Sequence, residues 1–212
     1  MAKKIYSLLL SDDVVEQVDN LAAKQGISRS NMVNRILGEH FSYSTPEKRM
    51  HDIFAEVEQL ILPHSTMRFS NMPSVSMATI FSALPYRYKP TVRYSVELVD
   101  SDGCIARLRV SLRSQNSDLL EGMKRFYALF MHLEQDALGQ RTSGTDDSGR
   151  FVRLLQKPDD YITDSQIAEC ITAYINNFDE LLGVYFAQGC SEKSVHEIKR
   201  RYAKYLAENI HV

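Results

Sequence analysis

The first 44 residues combine one short apolar stretch with two helical patterns. Residues 3–11, "KKIYSLLLS", carry apolar side chains on both faces of a strand. Apolar residues then recur at helical spacing over residues 14–22 and again over residues 32–37, with Gly26 and the N-cap residue Ser28 between them. The pattern predicts a strand, a helix of about 13 residues, a tight turn and a second helix of similar length.

Neither the strand nor the helices of this segment can be stable alone. A single short strand leaves its backbone groups unpaired, and two helices of this length cannot bury their apolar stripes. Two copies solve both problems, because two strands can join as an antiparallel ribbon and four helices can close over one face of it. We therefore expect residues 1–44 to form the dimerisation domain of a homodimer or higher homo-oligomer.

The two faces of the predicted ribbon follow from its alternation. Leu10 precedes the first helix and should point into the core, so the outward side chains are Ile5, Ser7 and Leu9. The inward strand residues and the helical stripes make up the predicted dimer core: Tyr6, Leu8, Leu10, Val18, Leu21, Met32, Val33 and Ile36.

The segment resembles the ribbon-helix-helix family of bacterial regulators, of the Arc, MetJ and CopG type. The resemblance rests on "IYSLLLS", "DDVVEQVDNLAAKQG" and "ISRSNMVNRIL", and it covers about 40 of the 212 residues. It implies an intertwined β-α-α dimer whose ribbon enters the major groove of double-stranded DNA, as in a transcriptional repressor. The family pattern places Ile5, Ser7 and Leu9 against the bases. It also places a second set against the phosphates: Lys3, Lys4, Ser28, Arg29 and Ser30.

The outward ribbon face differs from the family's usual polar or charged face. Ser7 alone can hydrogen-bond a base edge, whereas Ile5 and Leu9 can only contact thymine methyl groups. Exposed apolar patches often mark protein interfaces. A second function therefore stands beside DNA binding: a non-catalytic interaction protein that uses the ribbon-helix-helix fold only to dimerise.

Residues 45–212 read as a separate α+β domain. Pro46 stands at the first position of a helix that should end before Pro63, and "SMATIFSAL" and "RFVRLLQ" are strand candidates. Residues 117–138 and two later segments, capped by Thr163 and Ser191, predict helices. Residues 139–150 read as a polar, mobile loop. We expect a small, largely antiparallel sheet with packed helices, serving oligomerisation, effector sensing or partner binding.

The clearest element of this second domain is a β-hairpin. Matching its apolar faces pairs Val96 with Leu108 and Glu97 with Arg107, and leaves a three-residue loop that ends at a left-handed Gly103. The outer face of the hairpin carries four arginines: Arg93, Arg107, Arg109 and Arg113. Such a face is either solvated around one Glu–Arg pair, which we favour, or it is a patch for an anion or a nucleic acid.

Composition and motifs narrow the function. The net charge is −2, which does not by itself indicate a nucleic-acid-binding protein. There is no apolar run of membrane-spanning length and no secretory signal pattern, and the three cysteines are scattered, so we expect a cytoplasmic protein with reduced thiols. The six histidines lack metal-ligand spacing, and phosphate-loop, dinucleotide-binding and nucleophile-elbow motifs are absent. We expect neither a metal, nor a cofactor, nor enzymatic activity.

Overall fold

The computed structural model describes residues 7–40, 46–61, 67–101, 103–139, 142–157, 162–189 and 191–209. These residues form an α+β protein with six helices and a six-stranded antiparallel sheet. The chain divides into two compact units, Met1–Arg49 and Met50–Val212. None of the helices within the described ranges is long and apolar enough to cross a membrane.

The first unit contains the two predicted helices and the turn between them. Helix α1 spans Asp12–Gln25, and helix α2 spans Arg29–His40. Gly26 ends α1 with a left-handed φ of 64°, as predicted, and its N–H points back to the carbonyls of the last helical turn. A left-handed residue here turns the chain sharply, so three residues are enough to connect α1 to α2.

The predicted N-terminal strand is not a strand in this single chain. Residues 7–10 carry no regular secondary structure, and α1 is the first regular element described. Lys3, Lys4, Ile5 and Tyr6 lie outside the described residues. The physical reason is that a strand needs a neighbour for its backbone N–H and C=O groups, and one chain offers this segment none.

The second unit is built on a sheet whose strand order is β1-β2-β3-β4-β6-β5. Its strands are β1 (Arg68–Ser74), β2 (Met77–Ala83), β3 (Thr91–Ser101), β4 (Cys104–Leu112), β5 (Ser143–Thr145) and β6 (Phe151–Gln156). The register of β1 on β2 shifts between Ser70 and Ser74. Every neighbouring pair is antiparallel, so each strand alternates between one face that packs on helices and one outer face.

Four helices contribute to the apolar core of this unit, the first of them from Met50 onwards. They are α3 (Pro46–Ile61), α4 (Ser117–Leu138), α5 (Asp164–Gln188) and α6 (Glu192–Glu208). Phe178 of α5 lies near its centre, with ring centroids 4.8 Å from Phe130 of α4 and 4.9 Å from Phe151 of β6. Helix α3 buries Phe54 and Val57 in this core.

The hairpin prediction is confirmed in register and wrong in loop length. Val96 pairs with Leu108 and Glu97 with Arg107, and Gly103 is left-handed with φ of 83°. Ser101, however, is the last residue of β3 and pairs with Cys104 after a register shift. The shift shortens the connection, because an irregular pairing absorbs residues that a regular ladder would leave in the loop.

Two strands of the sheet were not predicted. Strand β1 lies in a stretch that contains Pro73 and lacks apolar alternation, and β5 is a three-residue strand inside the segment predicted to be a mobile loop. The helix predictions are confirmed. Helix α4 covers the predicted residues, and α5 and α6 begin after capping boxes at Thr163 and Ser191. Pro46 is the first residue of α3, as predicted.

Candidate nucleic-acid interface

The start of α2 is the predicted phosphate-binding position. The Ser28 side chain accepts a hydrogen bond from the Asn31 N–H at 3.3 Å, so Ser28 caps the helix. Ser28, Arg29 and Ser30 are all exposed. Because the first N–H groups of a helix lack partners within the helix, this end of α2 carries partial positive charge and can accept an anion.

Arg29 is engaged in an ion pair across the turn. Its Nε donates to Asp19 Oδ1 at 2.6 Å, and its Nη2 donates to the other carboxylate oxygen. These hydrogen bonds and the positive charge hold the pKa of Asp19 below its usual value. Both side chains are exposed to about half of their area, 58% for Arg29 and 43% for Asp19. A phosphate that binds Arg29 must therefore compete with Asp19.

The first unit buries few side chains of its own. Val18, Ala22 and Met32 are buried together, and Ile27 and Val33 pack partly against them. Arg35 adds a second link between the helices by donating from Nη1 to Gln25 Oε1 at 2.6 Å. This small cluster fixes α1 against α2 and leaves most of the apolar stripes open.

The exposed apolar side chains of this unit form one defined set, which we call the open apolar set. Four of them belong to the predicted dimer core: Leu8 at 64% exposure, Leu10 at 43%, Leu21 at 41% and Ile36 at 37%. The others are Leu9 at 104%, Val14 at 47% and Leu37 at 43%. Exposed leucines and isoleucines at this density are unusual for a surface that remains in water.

The predicted site residues are thus only partly brought together. The structure places Ser28, Arg29 and Ser30 side by side at the start of α2, and it places Val18 and Met32 in one cluster. Ser7 and Leu9 are exposed in a segment without regular structure. Asp19 was not among the predicted site residues, although its opposite charge ten residues before Arg29, across a predicted tight turn, was a usable signal.

The outer face of the sheet carries more ion pairing than predicted. Glu97 accepts from Arg109 at 3.1 Å and from Arg107 at 3.4 Å, so one carboxylate holds two guanidinium groups instead of one. Arg93 lies near the Thr79 hydroxyl at 3.5 Å. Arg113 is exposed beyond the end of β4, outside the paired part of the hairpin.

Two polar networks lie inside the second unit. Glu134 of α4 pairs with Arg153 of β6 at 3.0 Å and accepts from the Tyr174 hydroxyl at 2.8 Å. Asp179 of α5 accepts from the Tyr94 hydroxyl at 2.7 Å and from Ser82 at 2.9 Å. Burial raises the pKa of Asp179, and these two hydrogen bonds partly offset the rise. Both networks tie helices to the sheet, which is a structural role.

The described part of the chain contains no cluster of histidine, cysteine, aspartate and glutamate side chains that could hold a metal ion. Comparison of the sequence and the structure with protein-family models, with curated proteins and with solved structures finds no match.

Proposed function

We propose that this protein is a DNA-binding transcriptional regulator that acts as a dimer through its first unit. In the dimer, residues 3–10 of two chains pair as a ribbon that enters the major groove, and the starts of both α2 helices contact phosphates. The second unit serves oligomerisation, effector sensing or partner binding.

The open apolar set is the observation that carries this proposal. Leu8, Leu10, Leu21 and Ile36 each retain between 37% and 64% of their exposure in the single chain. Completing the burial of one such side chain stabilises by about 1 kcal/mol, because full burial is worth about 1.5–3 kcal/mol. A second copy of the same segment presents the same apolar surface and the same strand-like sequence, so it can cover this surface and pair with the segment at once.

The dimer is tested by mass. Light scattering of the intact chain at micromolar concentration should give at least twice 24.3 kDa. A monomer with both helices of the first unit intact would contradict the ribbon. The substitution Ile36→Lys should reduce the measured mass towards that of one chain, because it places a charge in the shared core.

DNA contact is tested at Arg29. The substitution Arg29→Glu should weaken binding to every DNA sequence alike, since phosphate contacts carry no sequence information. Arg125→Glu, at an exposed site on α4, is the matched control and should have a smaller effect. If Arg29→Glu changed sequence preference and left non-specific affinity intact, the phosphate assignment would be wrong.

The ribbon face is tested by two neighbouring substitutions. Leu9→Arg should raise DNA affinity through added charge and leave the dimer folded, whereas Leu8→Arg should unfold the dimer because it buries a charge. The two variants are compared by thermal stability and by DNA affinity. Equal destabilisation would mean that Leu9 is covered by protein.

A second candidate function is favoured by the complete exposure of Leu9, which is an apolar side chain on the proposed base-reading face. In that case the fold only dimerises, and the ribbon face binds another protein. A DNA pull-down from the source genome at low salt separates the two functions. Recovery of no enriched fragment would favour the interaction protein.

A further inference from the structure

The turn that connects β2 to β3, residues 85–90, is held firmly by its own backbone and by α5. The Leu84 N–H donates to the Pro90 carbonyl at 3.0 Å, and the Lys89 N–H donates to the Tyr86 carbonyl at 2.9 Å. The Tyr86 ring packs edge-on against Phe186 of α5, with centroids 5.6 Å apart. The conformation of the turn is therefore set by packing on one side and leaves its tip in solvent.

The tip of this turn is basic, aromatic and strained. Arg87, Tyr88 and Lys89 are exposed, and Tyr88 is 101% exposed. Tyr88 has φ of 63° and Lys89 has φ of 43°, and in the described part of the chain they are the only non-glycine residues with positive φ. Bulky side chains rarely adopt this region, and such strain is concentrated at functional sites. Folding alone gives no reason for a tyrosine at this position, because glycine would fit it better.

The sheet surface nearest this turn is also positive. The strand register defines its first two outward rows: Ala83 and Thr91, then Arg68, Phe81, Arg93 and Ser111. These rows contain Arg68 and Arg93 and no carboxylate, whereas Arg109, one row further from the turn, is paired with Glu97. Arg87 and Lys89 in the turn lie at the same end of the sheet as Arg68 and Arg93. This set, which we call the basic end, suits a polyanion and repels a second copy of itself.

We propose that the basic end is a second DNA-contacting surface, with the residue 85–90 turn as its main element. Arg87 and Lys89 neutralise phosphates of double-stranded DNA, and the Tyr88 hydroxyl donates a hydrogen bond to a phosphate oxygen. The choice of duplex DNA rests on the proposed function of the first unit, while the positive charge of the surface does not. The contact reads no bases, so it adds affinity without sequence preference.

The salt dependence of binding tests the phosphate contacts. The intact chain is titrated against a duplex of arbitrary sequence at several salt concentrations, and log K is plotted against log salt. The double variant R87S/K89S should reduce the magnitude of the slope by about 1.8, since each lost phosphate contact removes about 0.9. The matched control K124S/R125S removes the same charge from exposed positions on α4 and should keep the slope. Equal slopes for the two double variants would overturn the proposal.

The strained tyrosine gives an independent test. Tyr88→Phe removes only the hydroxyl and should lower duplex affinity several-fold at an unchanged melting temperature. Tyr88→Gly relieves the left-handed backbone and should raise the melting temperature while lowering affinity at least as much. A glycine variant that binds as tightly as the native chain would overturn the role of Tyr88.

Arg29→Glu separates this proposal from the proposed function. If Arg29→Glu weakens duplex binding and R87S/K89S does not, the proposal for the basic end is wrong and the proposed function of the first unit is supported. If only R87S/K89S weakens duplex binding, the proposed DNA contact of the first unit is wrong and the basic end is supported. If R87S/K89S lowered the affinity for single-stranded DNA of equal length and left duplex affinity unchanged, single-stranded DNA would be the partner and the duplex assignment would be wrong.

Discussion

Replacing Arg153 with methionine should destabilise the second unit strongly. Arg153 and Glu134 are both 1% exposed, and Arg153 Nε lies 3.0 Å from Glu134 Oε1. The Tyr174 hydroxyl donates to the same oxygen, and the Arg153 guanidinium carbon lies 5.6 Å from the centroid of the Tyr174 ring. Without the arginine, the carboxylate stays in the core with one neutral donor.

The expected loss of stability follows from leaving the Glu134 carboxylate buried without its arginine. Removing one partner of a buried ion pair typically lowers the free energy of unfolding by about 3–5 kcal/mol. In a domain of this size each kcal/mol lowers the melting temperature by about 2–4 °C, so a fall of roughly 6–20 °C is expected. The control Arg125→Met breaks an exposed pair with Glu121, at 64% and 54% exposure, and should cost about 0.3–0.5 kcal/mol.

Urea denaturation of the intact chain, with its transition followed at several wavelengths, measures both variants. The triple variant E134L/R153M/Y174F removes every charge and the orphaned hydroxyl together. It should return to within about 1 kcal/mol of the native chain or exceed it, because well-packed apolar replacements avoid the cost of burying charge. An Arg153→Met cost below about 1 kcal/mol, close to the control, would refute the reasoning.

Three further predictions concern single side chains. Asp19→Asn should raise DNA affinity, because it releases Arg29, and Asp13→Asn, which removes an equal charge, should raise it less; equal effects in binding titrations would exclude the competition. Thr163→Ala should cost about 1 kcal/mol in urea denaturation by removing the cap of α5, and Thr163→Ser should restore most of it. Tyr94→Phe should cost more at pH 7 than at pH 4. Asp179 has a raised folded pKa, so stability is lost as pH rises from the ordinary aspartate pKa through the raised folded pKa, and the loss should grow without the Tyr94 donor. Equal costs at the two pH values would contradict that order.

Much of the second unit could be predicted because its sequence alternates cleanly. In the β3–β4 hairpin, matching the apolar faces allows only pairs whose residue numbers have an even sum, and the predicted pair of Glu97 with Arg107 is observed. Thr163 and Ser191 mark the starts of α5 and α6, since side-chain caps are local signals. Such features depend on a few neighbouring residues, which the sequence displays directly.

Other features depend on partners far apart in the chain. Arg153 lies between Phe151 and Leu155 on the inward face of β6, a position where a charge needs a buried partner. That partner, Glu134, lies four residues after Phe130 on the buried face of α4. Taken alone, the sequence position of Arg153 or of Glu134 does not reveal its partner. The strand register and the buried face of the helix are both needed to identify the pair.

The pattern of the N-terminal segment predicts a strand, but a strand forms only where another strand pairs with it. Leu8 and Leu10 alternate as strand residues should, yet one chain supplies no ladder for them. The start of α2 could be predicted from its cap at Ser28, whereas the ion pair between Arg29 and Asp19 depends on the angle between α1 and α2. A tight turn sets that angle, and sequence patterns specify turns less sharply than helices.

The two edges of the sheet have a consequence for how the protein can assemble. Strand β5, at one edge, is only three residues long, and β1, at the other, contains Pro73 and breaks its register between Ser70 and Ser74. Short, interrupted edges are poor templates for strand addition, and this is how natural sheets resist amyloid-like growth. Filaments built by extending this sheet are therefore disfavoured. At high concentration the protein should form assemblies of limited size, whereas a sheet with long, exposed edge strands would form fibrils.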